Sequence, residues 1–304
     1  NTPSVCTCYI NSKIKGLNAL ADHSPTRRLP KRIPETGRLV KGPAYAKAPT
    51  FAEATADKTA GRPAFAPPNS QSPTTNAPPA DWPTYRGAPD RHGVASGPLS
   101  ESYAAGWETP IGGKLTQPVI AGGKVFVAAK AQHAVFALNE ENGQVEWRFQ
   151  AGGTVNSPPT IWAGKAIFGC NDGWVYCVAA DSGELVWKYR AAPLDRRMIA
   201  RENLESVWPV HGSVLVLPDP ASGKGRVYCI AGRSIFLDGG LRSLVLDAES
   251  GRKIHESVMN HIDPDTGKDV QQGTEWPPDL PAGLPDVLSF SNDTIYMGIQ
   301  PFSQ

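Results

Sequence analysis

Beyond about residue 115 the apolar positions of this chain come in short runs rich in Val, Ile, Phe, Tyr and Trp, separated by Gly, Asn and Asp. Such runs predict β-strands, because branched and aromatic side chains fit a pleated surface and the separators supply tight turns. The runs also recur. Residues 117–127 match residues 157–168, and residues 134–138 match residues 174–178. Gly143 and Gly183 each stand four residues before a tryptophan, and Trp107, Trp147 and Trp187 are spaced by 40 and 40. Several features sharing one period predict a repeated unit of four antiparallel strands, with Asn171-Asp172-Gly173 marking one internal hairpin.

A lone sheet of this kind is apolar on both faces and must stack on neighbours. The predicted fold is therefore all-β, a partial β-propeller of about three to four blades. An indole at a fixed place in strand four would wedge into the next blade and contribute ~2–3 kcal/mol by burial, which makes Trp107, Trp147 and Trp187 blade-docking residues. Trp107 is expected on a lone fourth strand. The third unit, residues 212–255, is irregular and places His255 where a tryptophan is due. A fourth begins at residues 288–290 and 294–298.

Composition divides the chain near residue 80. Residues 1–80 hold 11 basic against 4 acidic side chains, 12 prolines and no tryptophan; residues 81–304 hold 19 against 25 and all eight tryptophans. A basic, Pro-rich stretch of this kind lacks the apolar surface to offset its ordering entropy, so residues 1–80 are expected to be a disordered tail and linker. Its low-complexity run at residues 45–58 is of the sort produced when a reading frame opens too early, which makes the tail a suspected spurious extension. Cys6 and Cys8 lack partner ligands for a metal. The overall net charge of +1 argues against nucleic acid as a partner, and no apolar run approaches the ~18–20 residues that span a bilayer.

The Asp181-Ser182-Gly183-x-x-x-Trp187 pattern resembles the pyrroloquinoline-quinone (PQQ) repeat of quinoprotein-type propellers. So do residues 81–94, opening Asp81-Trp82-Pro83-Thr84-Tyr85-Arg86-Gly87, and residues 205–213 and 231–240. The resemblance covers about residues 81–304. It implies a bacterial, exported, periplasmic or extracellular protein, and rings of seven or eight blades of which this chain would supply the N-terminal part. Quinoprotein alcohol dehydrogenases of this superfamily carry an adjacent pair of cysteines over the cofactor, and this chain has no Cys-Cys step. Their calcium ligands and catalytic Asp find no aligned counterpart either.

Loop lengths indicate a working face. Connections from strand four to strand one, and from strand two to strand three, open on the same rim of a propeller. Three of these are stretched: residues 188–211, 232–240 and 260–285. Only residues 217–224 lengthen the other rim. Long ordered loops on one rim favour binding. The candidate rim residues are Arg196, Arg197, Arg201, Glu205 and His211 on the first loop, with Arg233 and Asp238 on the second. Their guanidinium and carboxylate groups suit an anionic ligand or pairing with one another to hold the loops, the latter weighing more. The run Ser222-Gly223-Lys224-Gly225 departs from a phosphate loop, and Asp263-Pro264-Asp265-Thr266-Gly267 reads as a polar turn in preference to a calcium loop. Cys177 is expected opposite Ile167, with no disulfide to Cys170.

The function expected from these readings is a non-catalytic binding or assembly platform, with a protein or small-molecule ligand on the loop-bearing rim. Neither cofactor nor metal is predicted. The alternative is a truncated PQQ- and calcium-dependent alcohol or sugar dehydrogenase, the one reading under which PQQ and Ca²⁺ enter.

Overall fold

The computed structural model describes residues 29–30, 32–47, 81–95, 102, 104–200, 202–263, 265–268, 287–298 and 300–302. Among them there is no α-helix. Blade one is β2 (Val119–Ala121), β3 (Lys124–Ala129), β4 (Ala134–Asn139) and β5 (Val145–Gln150). Blade two is β6 (Thr160–Trp162), β7 (Lys165–Gly169), β8 (Trp174–Ala179) and β9 (Leu185–Arg190). Blade three is β12 (Leu215–Pro218), β13 (Gly225–Ala231), β14 (Leu241–Asp247) and β15 (Lys253–Met259). A fourth sheet holds β16 (Leu288–Ser291), β17 (Thr294–Met297) and β18 (Gln300–Phe302). Each sheet is an antiparallel meander in chain order. The expected partial propeller is the observed architecture, and the fourth sheet has one strand more than the sequence pattern indicated.

Alternation of side chains gives every full blade two buried faces. On β3, Phe126 and Ala128 join the core between blades one and two, whereas Val127 and Ala129 lie on the opposite face. On β13, Val227, Cys229 and Ala231 face blade two, and Tyr228 and Ile230 face the fourth sheet. Cys177 pairs with Ile167 as expected, and Cys170 is buried in the other interblade core, so the two thiols stand on opposite faces of blade two.

The 40-residue period has a physical cause. The Trp147 indole N–H donates to the Ala180 carbonyl (2.9 Å) and the Trp187 N–H to Ala248 (3.1 Å), each in the third-to-fourth strand turn of the next blade. Trp107 makes the same bond to Glu140 at 2.9 Å. Each ring lies on the glycine that ends that turn. A Cβ added at Gly143, Gly183 or Gly251 would stand 2.3, 2.7 or 2.6 Å from Trp107, Trp147 or Trp187. All three glycines have φ near +70° and close the turn by an N–H bond to the carbonyl four residues back. The glycine thus serves two ends, a left-handed turn and a flat seat for an indole.

Trp107 departs from the expectation in one respect: residues 104–111 form no strand. They lie over the outer face of blade one, with Thr109 Oγ1 donating to the Gly143 carbonyl and Ile111 on the Val127/Phe136 cluster, but no described strand pairs beside them. Trp107 is accordingly 39% exposed, against 8% for Trp147 and 0% for Trp187. His255 takes the equivalent place on β15, opposite Val245, and is exposed.

Two segments before blade one tie the stack together. Residues 82–91 cross the hub. Trp82 exchanges backbone hydrogen bonds with Ile120, Pro83 accepts from the Ile161 N–H, and Pro89 accepts from the Phe290 N–H. Arg91 is buried and donates to the carbonyls of Leu288, Val214 and Tyr85 and to Thr84 Oγ1. One side chain and its neighbours therefore reach the first strand, or its leading residue, in all four sheets. Burial lowers the Arg91 pKa to about 10, which still leaves it cationic at neutral pH.

The expectation of disorder over residues 1–80 fails for residues 32–47, which are built into the fold; residues 1–28, 31 and 48–80 lie outside the described residues. β1 (Leu39–Lys41) pairs antiparallel with β9 and makes blade two five-stranded. Composition misleads here because a strand that adds to a preformed edge needs no core of its own. Arg38, fully buried, bonds the Arg190 and Ala191 carbonyls and Glu256 Oε2 (2.7 Å). Glu256 also accepts from Arg242 (2.9 Å) and Lys253 (2.8 Å). Burial would raise the Glu256 pKa, but the hydrogen bonds from Arg38 and Lys253 outweigh it and bring it from the usual 4.5 to about 2.

Two predictions follow from this packing. Gly183→Ala meets both the left-handed φ and the Trp147 ring, whereas Gly123→Ala at φ +73° meets the strain alone, with nothing within 4 Å. Denaturant unfolding should show a loss of about 1 kcal/mol for Gly123→Ala and about 3 kcal/mol for Gly183→Ala; equal losses would remove the seat from the account. Because the folded pKa of Glu256 is depressed, its contribution is complete above pH 4.5 and lost as pH falls through about 2. Glu256→Gln should cost about 3 kcal/mol at pH 7, a difference that closes between those two pH values.

Candidate functional site

The stretched connection between blades two and three folds as a hairpin, β10 (Arg197–Ala200) and β11 (Asn203–Ser206), paired Arg197 to Ser206 through Ala200 to Asn203. Its base is fixed to the blade. The Val207 N–H donates to the Arg196 carbonyl, and the Ser206 N–H donates to the Asn171 carbonyl. Below it runs a polar chain that joins three connections on one rim. Asn171 Nδ2 donates to Glu205 Oε1 at 2.7 Å, Asn171 Oδ1 accepts from Asn156 Nδ2 at 2.9 Å, and the same Nδ2 lies 3.5 Å from His211 Nδ1.

Asp172, next along the turn, accepts from the Trp174 N–H and from Tyr176 OH (2.6 Å). Burial raises the Tyr176 pKa, and the neighbouring Asp172 carboxylate adds to the effect. Trp208 is buried, and its indole N–H reaches the Asp238 carbonyl at 2.9 Å, joining the loop that follows β13 to the same assembly.

The candidate residues therefore separate. Glu205 and His211 meet through Asn156 and Asn171. Arg197 pairs with Asp195 at 3.3 Å, and Arg233 pairs with Asp238. Arg196 is half-buried at the base of the hairpin, and Arg201 lies outside the described residues, as does most of the stretch 260–285. Arg197 and Arg233 are thus each engaged by a carboxylate of the chain. Asn171 was legible in the sequence as a turn residue alone; that its side chain bridges two blades depends on a partner 34 residues away.

The Asp172 and Glu205 carboxylates accept from protein donors, and among the described residues no group of three His, Cys, Asp or Glu is placed to hold a metal ion. Asp263 belongs to a polar turn, accepting from Asp265 N, Thr266 N and Thr266 OH at 2.7–3.0 Å. Among the described residues no helix is long and apolar enough to cross a membrane.

Hub, blades and indole seats together define a β-propeller of PQQ repeats. A family profile described as outer membrane protein assembly factor BamB matches residues 99–257, just over half of the chain, and the chain belongs to that family. Outer membrane protein assembly factor BamB of Burkholderia pseudomallei (strain K96243) is 34% identical over 96 residues, 31% of this chain and 25% of the relative. The Yersinia pestis protein of the same name is 30% identical over 90 residues, 28% and 23% of the two chains. The chain thus spans about a quarter of the length of the curated relatives it matches. Among solved structures, quinohemoprotein alcohol dehydrogenase from Comamonas testosteroni aligns with a TM-score of 0.50 at 17% identity, covering 71% of this chain and 34% of that one, a likeness of fold.

Asn171→Ala should leave Glu205 and Asn156 without their shared partner inside the rim, at a cost of about 2 kcal/mol in thermal or denaturant unfolding. Arg197→Ala, which removes an exposed pair, should change stability by less than about 0.5 kcal/mol.

Proposed function

We propose that this chain is a non-catalytic binding platform in outer membrane protein assembly, carrying a protein partner on the loop-bearing rim and working in the periplasm. The observation that carries the reading is the β10–β11 hairpin. Ile199 and Leu204 sit directly opposite each other near its tip and are 72% and 55% exposed. An apolar pair held out on a fixed hairpin suits a protein surface with an apolar socket. Arg197, on the same hairpin, supplies a charge at the margin of the proposed contact, and Glu205 and His211 support its base through Asn171 and Asn156. The assembly-factor name of the family supplies the class of partner, a protein component of outer membrane protein assembly. The internal pairing of the rim charges supports a platform in preference to a catalytic cleft.

A benzophenone amino acid placed at position 199 or 204 of the chain in living bacteria should cross-link to an assembly component, and the same probe at Glu184, on the opposite rim, should not. Ile199→Asp combined with Leu204→Asp should abolish the product while leaving the melting temperature within about 2 °C. Equal cross-linking from both rims contradicts the reading. So does reduction of a dye acceptor when the protein is supplied with PQQ, Ca²⁺ and an alcohol.

A further inference from the structure

The outer cleft between blades two and three carries a second site, apart from the loop-bearing rim and independent of the reading above. We infer that this cleft is a peptide-binding site for an extended, arginine-bearing strand, filled in cis by residues 35–47 of the chain itself. The segment is recognised at several successive positions. Arg38 enters the cleft, Leu39–Lys41 pair with β9 (Leu39 to Tyr189, Lys41 to Trp187), and the Gly42 N–H donates to the Val186 carbonyl at 2.8 Å. Gly42 is demanded by contact: a Cβ there would lie 2.0 Å from the Leu185 carbonyl oxygen. Ala44 is buried, its N–H on the Leu185 carbonyl, and Tyr45 OH reaches the Ser250 carbonyl across the cleft at 3.3 Å. Glu35 closes the far end through Tyr189 OH (2.9 Å) and Lys253.

The pocket for the guanidinium is specific to this cleft. Its walls are the Tyr189 ring, 4.9 Å from Arg38 Cζ, the Arg190 and Ala191 carbonyls, and Glu256. Glu256 follows His255 on β15 as Lys188 follows Trp187 on β9, so at the cleft between blades one and two a lysine holds the corresponding place. Lys188 there lies over the Trp174 and Tyr176 rings, 4.7 and 5.8 Å from their centroids. A cation in place of the carboxylate would repel an incoming arginine. The β5 edge in that cleft, related by the repeat to β9, carries no strand among the described residues, and Val145 on it is 46% exposed. Among the described residues strand addition thus occurs at this cleft and not at its repeat-related neighbour.

Thirty-three residues, seven of them proline, separate Lys47 from Asp81 at the hub. A connection of that length places little geometric demand on where the segment lies, so the contacts themselves choose the site.

The test uses the full chain with a protease site introduced between residues 60 and 61. After cleavage the N-terminal fragment should remain with the body on gel filtration. Excess synthetic peptide of residues 33–47, fluorescently labelled, should displace it and bind saturably by anisotropy. Peptides carrying Arg38→Ala or Gly42→Val should bind about tenfold or more weakly, and a body carrying Glu256→Lys should lose the peptide. Three outcomes overturn the inference: immediate loss of the fragment with no binding of the peptide, equal binding of the Gly42→Val peptide, or a fragment that no excess of peptide displaces, which would make it a permanent strand of blade two.

Discussion

An indole seated on a glycine of the next sheet is the contact from which the stack is built. The seat requires a residue without a Cβ, because Gly143, Gly183 and Gly251 bring their backbones to within side-chain distance of Trp107, Trp147 and Trp187. The same glycine must adopt positive φ to end the turn, so one residue type meets both demands. The indole N–H finds a turn carbonyl three residues before that glycine, which satisfies the polar atom that burial would otherwise strand. Register, spacing and blade order all follow from this lock, since a strand slipped by one residue would turn the indole to the wrong face.

Stacking alone leaves two places undefended, the hub and the outer edge, and a separate segment serves each. At the hub the first strands converge, and residues 82–91 bridge them with backbone bonds and the buried Arg91. At the edge, Arg38 and Glu256 pull blade three against blade two, in a network where each buried charge meets an opposite one. The loop-bearing rim is free of such duties beyond its own polar chain, and that freedom lets its hairpin project.

The sequence made the blades legible because their determinants repeat: strand runs, turn glycines and tryptophans announce themselves by recurrence. Arg38 and Arg91 were invisible for the opposite reason. Each acts once, and its partners lie up to 218 residues away, at Glu256 and Leu288 among others. The resemblance of residues 81–94 to the family pattern marked a motif without revealing that it crosses the hub. Composition set a basic N-terminal stretch against an acidic body but treated the stretch as uniform, and a thirteen-residue strap within it binds by local complementarity. On the rim, charge along the loops marked Glu205 and His211; of the uncharged amides that connect them, Asn171 was legible only as a turn residue and Asn156 not at all.

The lock itself is measured most directly by a double-mutant cycle between Trp147→Leu and Gly183→Ala in equilibrium unfolding. If the ring rests on the glycine, the methyl of Gly183→Ala loses most of its penalty once the indole is gone, and the two changes couple by about 1–2 kcal/mol. The same glycine change paired with Trp187→Leu, whose seat is Gly251, should be additive. Additivity in both pairs would contradict the account.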